Sequence, residues 1–239
     1  MNDLRRTITS TVKLPEYCIY YTSSDGKIVT PYSATTFGTD VSIVSNTYEN
    51  GFGCIKLNKA PRILDNNAFS GRTTLTSIEI PGTVGGIMDK AFYKCSNLTG
   101  ITIPDSVISI GNYAFESCSG LTGNLVIPDS VISIGERAFY KCSGLTGELV
   151  IGSSVTSIGA NAFYDCSGLT GELVIPDSVI NIDENAFQSC TGLTSLVIGS
   201  GVTSIGKYAF QGCSSLTGEL VIPDSVTILA NGHLDHVLV

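Results

Sequence analysis

Apolar residues recur along the chain at intervals far longer than the period of a helix or a strand. The clearest marker is an Ala-Phe pair that returns at a nearly constant interval, which differs by no more than one position between copies. Its phenylalanines are Phe69, Phe92, Phe115, Phe139, Phe163, Phe187 and Phe210. A regular period of this length indicates a repeat architecture, in which one supersecondary unit stacks on the next.

Each copy holds the same order of apolar and polar positions. In one copy, Leu121 is followed by the apolar run 125–127, the Pro-Asp-Ser segment 128–130 and a second apolar segment, 131–134. Proline fixes φ and aspartate bonds its own backbone, so Pro-Asp-Ser predicts a chain reversal. The segment around Ala-Phe has the length of one helical turn. We therefore expect each copy to form a strand, a turn, a short extended piece and a helical turn, and the copies to stack as an α/β solenoid.

These columns resemble the leucine-rich repeats of the BspA-like, or treponeme-type, family. That family reads roughly Leu-x-x-Ile-x-Ile-Pro-x-Ser-Val-x-x-Ile-Gly-x-x-Ala-Phe-x-x-Cys, and LTGITIPDSVISIGNYAFESC, residues 98–118, follows it position by position. The resemblance covers roughly residues 54 to 229. It implies a right-handed superhelix with a parallel β-sheet on the concave face and short helical turns on the convex side. The family consists mostly of bacterial surface proteins that bind host or partner proteins.

The pattern divides the chain into three parts. Residues 1–52 contain two hairpin-like stretches, around Asp25-Gly26 and Asn50-Gly51, and are expected to form a β-rich N-terminal cap or attachment segment. Residues 53–229 form the solenoid of seven full coils and a partial eighth, and residues 230–239 form a C-terminal tail. The open strand edge after Val226 is a candidate site for edge-to-edge self-association.

Composition and charge narrow the classes of partner. The chain of 239 residues has a formal net charge of −8 and shows no run of clustered Lys and Arg, which argues against nucleic acid as a partner. No apolar run is long enough to span a membrane. No signal-peptide core follows the start, so the protein either stays inside the cell or is shown after removal of a leader.

The cysteine column offers chemistry but favours packing. In six copies, the third residue after the phenylalanine is a cysteine. Side chains of one column run parallel, which disfavours disulfides and convergent zinc ligands, and the repeats contain no histidine to serve as a base. Free cysteine behaves as a small apolar residue, so we expect these thiols to form a buried spine beside the phenylalanines. The predicted spine comprises Cys95, Cys118, Cys142, Cys166, Cys190 and Cys213, with Phe92, Phe115, Phe139, Phe163, Phe187 and Phe210.

Any disulfide is expected between Cys18 and Cys54, which lie outside the column. Metal sites are disfavoured. The tail residues His233, Asp235 and His236 lie on a terminus, and the turn aspartates form a column interrupted by serines, whereas calcium needs six to eight convergent oxygens. We therefore expect no cofactor, no metal and no catalytic residue.

The middle residue of each first apolar run is the candidate binding position. Its neighbours should face the core by period-two alternation, so the middle residue should face outward. Five consecutive copies carry valine there, and Glu148 and Glu172 precede two of them. The predicted partner-binding set is Val126, Val150, Val174, Val197, Val221, Glu148 and Glu172.

Two interpretations of the valines stay open. β-branched residues suit any strand, whereas a contiguous exposed apolar row often marks an interface. The first hypothesis for function is a non-enzymatic, adhesin-like solenoid at the cell surface or secreted. Its partner is then a protein ligand such as a host extracellular-matrix or surface protein. The alternative is a structural spacer or assembly component of a larger surface or tail-like appendage.

Overall fold

The computed structural model describes residues 17–33, 35–217 and 220–230, and all structural statements concern these residues. This part of the chain contains sixteen β-strands and no helix. The first eight strands are β1 (Cys18–Ser23), β2 (Ile43–Glu49), β3 (Phe52–Leu57), β4 (Ile63–Leu64), β5 (Leu75–Ile78), β6 (Gly86–Ile87), β7 (Ser109–Ile110) and β8 (Leu125–Val126). The other eight are β9 (Ser133–Ile134), β10 (Leu149–Val150), β11 (Ser157–Ile158), β12 (Gly171–Ile175), β13 (Asn181–Ile182), β14 (Leu193–Ile198), β15 (Ser204–Ile205) and β16 (Ile228–Leu229).

An antiparallel sheet of order β2-β3-β1-β5 begins the described structure. β2 and β3 form a hairpin whose two loop residues, Asn50 and Gly51, have φ of 52° and 86°, as a two-residue hairpin turn requires. The second expected hairpin, around Asp25-Gly26, does not form, because β1 pairs with β3 and β5 instead. β5 belongs to the first repeat, so backbone hydrogen bonds join this sheet directly to the solenoid.

The longest sheet is built from the second apolar segment of each copy. It has eight parallel strands in the order β16-β15-β13-β11-β9-β7-β6-β4. Its register pairs equivalent residues of neighbouring copies, such as Ser133 with Ser109 and with Ser157. The ladder runs unbroken through the shorter and the longer copies alike, so the extra residue of the longer copies is absorbed elsewhere in the coil.

The first apolar run forms a shorter and interrupted ladder. β8 pairs with β10 and β12 pairs with β14, but β10 and β12 belong to different sheets. The extra residue lies at this site: the pairing of β12 with β14 shifts register between Gly171 and Glu172, and Gly171 has a φ of +82°. The principal parallel sheet therefore does not lie where the sequence pattern suggested.

The expected helical turns around Ala-Phe are wrong. The second residue before and the second residue after each repeat phenylalanine have positive φ, for example 53° at Arg137 and 57° at Lys141. A right-handed helix cannot contain such residues. Alternate N–H groups instead bond to the next coil, with Phe139 N donating to the Ala162 carbonyl at 2.7 Å. Cys142 N donates within its own coil to the Phe139 carbonyl at 3.1 Å. The segment is a chain of turns joined to its neighbours.

The Pro-Asp-Ser segment reverses the chain, and where the next coil carries a serine in place of the aspartate, the aspartate also links the two coils. Val131 N donates to the Pro128 carbonyl at 3.1 Å, which closes the turn. The carboxylate of Asp129 does not bond its own backbone as expected. It accepts from the backbone N and Oγ of Ser153 in the next coil, at 2.7 and 3.0 Å. Ser130 Oγ donates to the Val107 carbonyl of the preceding coil at 2.7 Å. These polar residues connect coils rather than shape one.

A single core runs through all coils. Six consecutive pairs of phenylalanine rings, from Phe69 to Phe210, are stacked with centroids 5.0–5.5 Å apart. Buried leucine, isoleucine, valine and alanine columns surround this ring stack. Phe37 of the N-terminal part covers one end, 6.3 Å from the Phe69 ring. Since each coil buries its apolar side only against its neighbours, stability depends on stacking.

Candidate functional site

The five valines of the predicted binding set lie on the outer surface of the first apolar run in successive coils. Val126, Val150, Val174 and Val197 are 46–53% exposed. Their neighbours point inward; Leu149 and Ile151, on either side of Val150, are buried. These four valines are exposed because the strand alternates and the core takes the residues on both sides. We call the row Val126, Val150, Val174, Val197 and Val221 the valine strip.

A groove of about 370 Å³ lies in the middle of the valine strip. It is open to solvent and lies between β10 and β12, where the ladder is interrupted. Its lining consists of Glu148, Leu149, Val150, Ile151, Glu172 and Val174. The structure thus brings four of the seven predicted binding residues into one depression.

Two carboxylates form the rim of the groove. Glu148 and Glu172 are exposed, and each directly precedes the leucine that begins the buried run. The backbone N of Glu148 donates to Asn124 Oδ1 at 3.0 Å, which fixes the start of β10. Ser195 Oγ donates to Glu172 Oε1 at 3.4 Å. An apolar floor with an acidic rim suits a ligand that presents an apolar side chain beside a positive charge.

The ends of the valine strip differ from its middle. The equivalent residues of the earlier copies are Glu79 and Thr102, so the apolar row begins at Val126. Val221 is 68% exposed and lies in the last described coil, beyond strand β14. The groove therefore occupies the centre of the apolar row rather than an end.

The cysteine column is buried and its thiols are hydrogen-bonded. All six side chains are at most 3% exposed, and each Sγ donates to the carbonyl of the phenylalanine one coil earlier at 3.0–3.1 Å. Sequence reasoning missed this bond. Burial raises the pKa of the Cys95, Cys166 and Cys213 thiols to about 12. A buried neutral thiol is neither nucleophile nor metal ligand.

Cys18 and Cys54 are joined by a disulfide between β1 and β3, with Cα atoms 5.8 Å apart. This is the pair that the sequence indicated. Among residues 17–33, 35–217 and 220–230, no group of three or more His, Cys, Asp or Glu side chains is arranged to hold a metal ion. His233, Asp235 and His236 lie outside the described residues. No helix of the described chain is long and apolar enough to cross a membrane.

Sequence reasoning also missed a second apolar row. Ile108, Ile132 and Ile180 are 47–52% exposed and lie beside the eight-stranded sheet. Their signal was present, since each follows the buried valine that opens the second apolar segment. The row is broken by Thr156 and is therefore less continuous than the valine strip.

The coils have nearly constant length, and each contributes a leucine and a phenylalanine to one continuous core, to which six of them add a cysteine. Together with the parallel strands, this arrangement defines a leucine-rich-repeat solenoid. The chain belongs to the family described as BspA type leucine rich repeat region. Six copies of its repeat match over residues 41–167 and 121–236. The resemblance read from residues 98–118 is confirmed.

Two solved structures share this architecture. The crystal structure of the T. pallidum leucine rich repeat protein is 30% identical, with a TM-score of 0.60 over 67% of this chain and 74% of that chain. A leucine-rich repeat protein from Bacteroides ovatus is 28% identical, with a TM-score of 0.55 over 68% of this chain. The match spans 47% of the Bacteroides ovatus chain. No curated protein matches the sequence significantly.

Proposed function

We propose that this solenoid is a non-enzymatic protein-binding module that acts as an adhesin-like protein at the bacterial surface or after secretion. Its contact surface is the valine strip with Glu148 and Glu172. The observation that carries the proposal is the coincidence of the exposed valines, the acidic rim and the groove of about 370 Å³ at one place. Contiguous exposed apolar surface with a polar rim is typical of protein interaction sites.

The disulfide supports a location outside the reducing cytosol. Disulfides form and persist in oxidising compartments, and the Cys18–Cys54 pair closes a separation of 36 residues. The six repeat thiols are compatible with that environment because they are buried away from oxidants. Membership of the BspA-type family adds weight to a surface role.

The handedness of the superhelix and the side on which the valine strip lies are part of the same proposal. We take the superhelix to be right-handed, with the valine strip on its concave side, as the family resemblance implies. A partner seated there contacts several coils at once. A protein ligand with an apolar segment flanked by Lys or Arg fits the strip, and a host extracellular-matrix or surface protein is the expected source.

The test is a binding measurement against a panel of immobilised extracellular-matrix proteins. The double variant Val150→Glu/Val174→Glu places two charges in the groove and is expected to weaken binding at least roughly ten-fold. Its matched control is Ile132→Glu/Ile180→Glu, which makes the same change at equally exposed residues of the other sheet. That control is expected to bind like the unmodified chain.

The alternative function, a structural spacer or assembly component, gives the opposite result. A spacer does not distinguish the groove variant from its control. It fails instead when the segment 1–52 is removed. Loss of binding in both double variants, or in neither, would count against the proposed site.

A further inference from the structure

Four cations gather on the Ala-Phe side of three consecutive coils. Lys90 and Lys94 flank Phe92, and Arg137 and Lys141 flank Phe139 two coils later. Lys90 and Arg137 occupy the same repeat position, as do Lys94 and Lys141. Stacked phenylalanine rings lie 5.1 and 5.0 Å apart across these coils, so the two pairs are separated by about 10 Å. We call these four residues the cation frame.

The two halves of the cation frame are far apart in the sequence, because a whole repeat lies between Lys94 and Arg137. After Arg72 the chain contains only five Lys and Arg residues, and four of them belong to the frame. A scan of the sequence for clustered Lys and Arg does not detect this group of residues. A spacing of two repeat periods places the residues in one patch.

Tyrosine rings hold the cations of the frame. Lys90 Nζ lies 5.3 Å and Arg137 Cζ 5.7 Å from the centroid of the Tyr113 ring, which separates the two. Lys94 Nζ lies 5.0 Å from the centroid of Tyr93. Lys141 Nζ lies 5.3 Å from the centroid of Tyr140. Cation–π contacts restrict these long side chains while leaving their hydrogen-bond donors accessible.

Asp89, Glu116 and Glu136 lie within the coils of the frame, and Asp165 lies one coil beyond Lys141 at the same repeat position; two of these four carboxylates are already engaged. Asp89 Oδ1 accepts from the backbone N of Asn112 at 2.7 Å. Glu136 accepts from the Tyr113 hydroxyl at 3.0 Å and lies 3.8 Å from Arg137 Nε. Within the described chain, no carboxylate forms a salt bridge with the ammonium groups of Lys90, Lys94 or Lys141. Three of the four cations thus remain available to a ligand.

Glu116, the third carboxylate within these coils, lies at the centre of the frame. Its side chain is buried, and its Oε2 has no hydrogen-bond partner among the described residues. Burial raises the pKa of this carboxyl, while the four cations of the frame act in the opposite direction. In its charged form, Glu116 therefore lowers the positive potential of the frame from beneath.

We propose that the cation frame binds a sulfated polysaccharide. A sulfate group is a permanent anion that matches ammonium and guanidinium donors, and compact Lys/Arg patches are typical of such ligands. The half-buried rings of Tyr93, Tyr140 and Tyr164 lie beside the cations and offer apolar area to sugar rings.

The extent of the frame selects this ligand over larger polyanions. In the next two coils, Asp165 occupies the position of Lys94 and Lys141, and Asp183 and Glu184 follow. A nucleic acid duplex or a membrane surface extends well beyond the frame and meets these carboxylates. A thin chain with spaced anionic groups contacts the frame without extending over Asp183 and Glu184.

The experiment titrates the full chain with heparin at two salt concentrations. Lys94→Ser/Lys141→Ser is the main variant, because Ser117 and Ser189 hold the same repeat position with the same positive φ. It is expected to bind heparin roughly ten-fold more weakly and with a smaller salt dependence. Glu116→Gln removes the central charge and is expected to bind about three-fold more tightly.

The matched control is Lys207→Ala, which removes a lysine outside the frame at a position where another coil carries Ala160. It is expected to bind heparin like the unmodified chain, as is the groove variant Val150→Glu/Val174→Glu. Neutral dextran is expected not to bind. The proposal is overturned by absence of heparin binding, by equal affinity of the Lys94→Ser/Lys141→Ser variant, or by tighter binding of DNA or anionic vesicles through the same lysines.

Discussion

At the scale of single residues, the repeat cysteine is a neutral hydrogen-bond donor in the core. Its Sγ shares the carbonyl of the preceding coil's phenylalanine with a backbone N–H, as Cys142 Sγ and Cys118 N do at Phe115. A carbonyl oxygen has two lone pairs, so both donors are accommodated. The thiol thus adds a weak polar link to a position that is otherwise filled by packing.

The buried thiols should make stability fall in alkaline solution. The folded state keeps the protons of Cys95, Cys166 and Cys213 up to a pKa of about 12, whereas in the unfolded chain the pKa is near 9.0. Above pH 9 the unfolded state therefore binds fewer protons. The free energy of unfolding is expected to decrease by about 1.4 kcal/mol per pH unit for each such thiol, as urea denaturation at pH 8, 9 and 10 measures.

Cys166→Ala separates this effect from the titration of lysine and tyrosine. The variant removes one thiol, so the free energy of unfolding should fall less steeply with pH, by the contribution of that one thiol. It should also lower stability at pH 8, by about 1–2 kcal/mol, through a small cavity and a lost hydrogen bond. An unchanged slope between pH 9 and 10 would contradict the assignment.

At the scale of elements, the Ala-Phe segment is defined by its left-handed residues. Asn67, Asn161 and Asn185 take one of the two left-handed positions, and asparagine tolerates this conformation well. Other copies place Lys90, Tyr113 or Arg137 there, so the tolerance extends to long side chains. A β-branched side chain is the least compatible with positive φ.

Asn161→Val is therefore expected to destabilise the solenoid by about 1–2 kcal/mol, because φ at this residue is 57°. The matched control is Ala160→Val, one residue earlier, where φ is not in the left-handed region. Urea denaturation followed by circular dichroism measures both variants. Equal stability of the two variants would show that the left-handed conformation is not required.

At the scale of the whole molecule, the N-terminal sheet and the solenoid form one continuous structure. β1 pairs with β3 on one side and with β5 of the first coil on the other. The hydrophobic core likewise extends without a break from Ile19 to Leu216. The Cys18–Cys54 disulfide therefore stabilises the part of the chain that covers one end of the solenoid.

Reduction of this disulfide should lower the stability of the whole chain. A bridge that closes 36 residues is expected to contribute about 3–4 kcal/mol, chiefly by restricting the unfolded chain. Thermal unfolding with and without dithiothreitol measures the effect, and Cys18→Ser/Cys54→Ser should match the reduced chain. The six repeat cysteines are already free, so the reductant has no other target among the described residues. A Tm unaffected by dithiothreitol contradicts the expectation.

The sequence by itself determined the repeat period, the family and the inward and outward residues of the first apolar run in each coil. These properties are local, because the order of apolar and polar residues within one coil sets them. The same order recurs in every copy. Leu149, Ile151 and Val150 could be assigned to core and surface from alternation alone. The division into residues 1–52, 53–229 and 230–239 and the binding role of the valine strip stay predictions.

Only the tertiary structure decided the features that arise between coils. Hydrogen bonds from one Ala-Phe segment to the next, such as that from Phe139 to Ala162, replace the helical turn that the length of the segment suggested. The interrupted ladder between β10 and β12 creates the groove. The cation frame joins residues two repeats apart, such as Lys94 and Lys141. Stacking brings equivalent positions of successive coils about 5 Å apart, so these contacts depend on which residues share a column and not on which are neighbours in sequence.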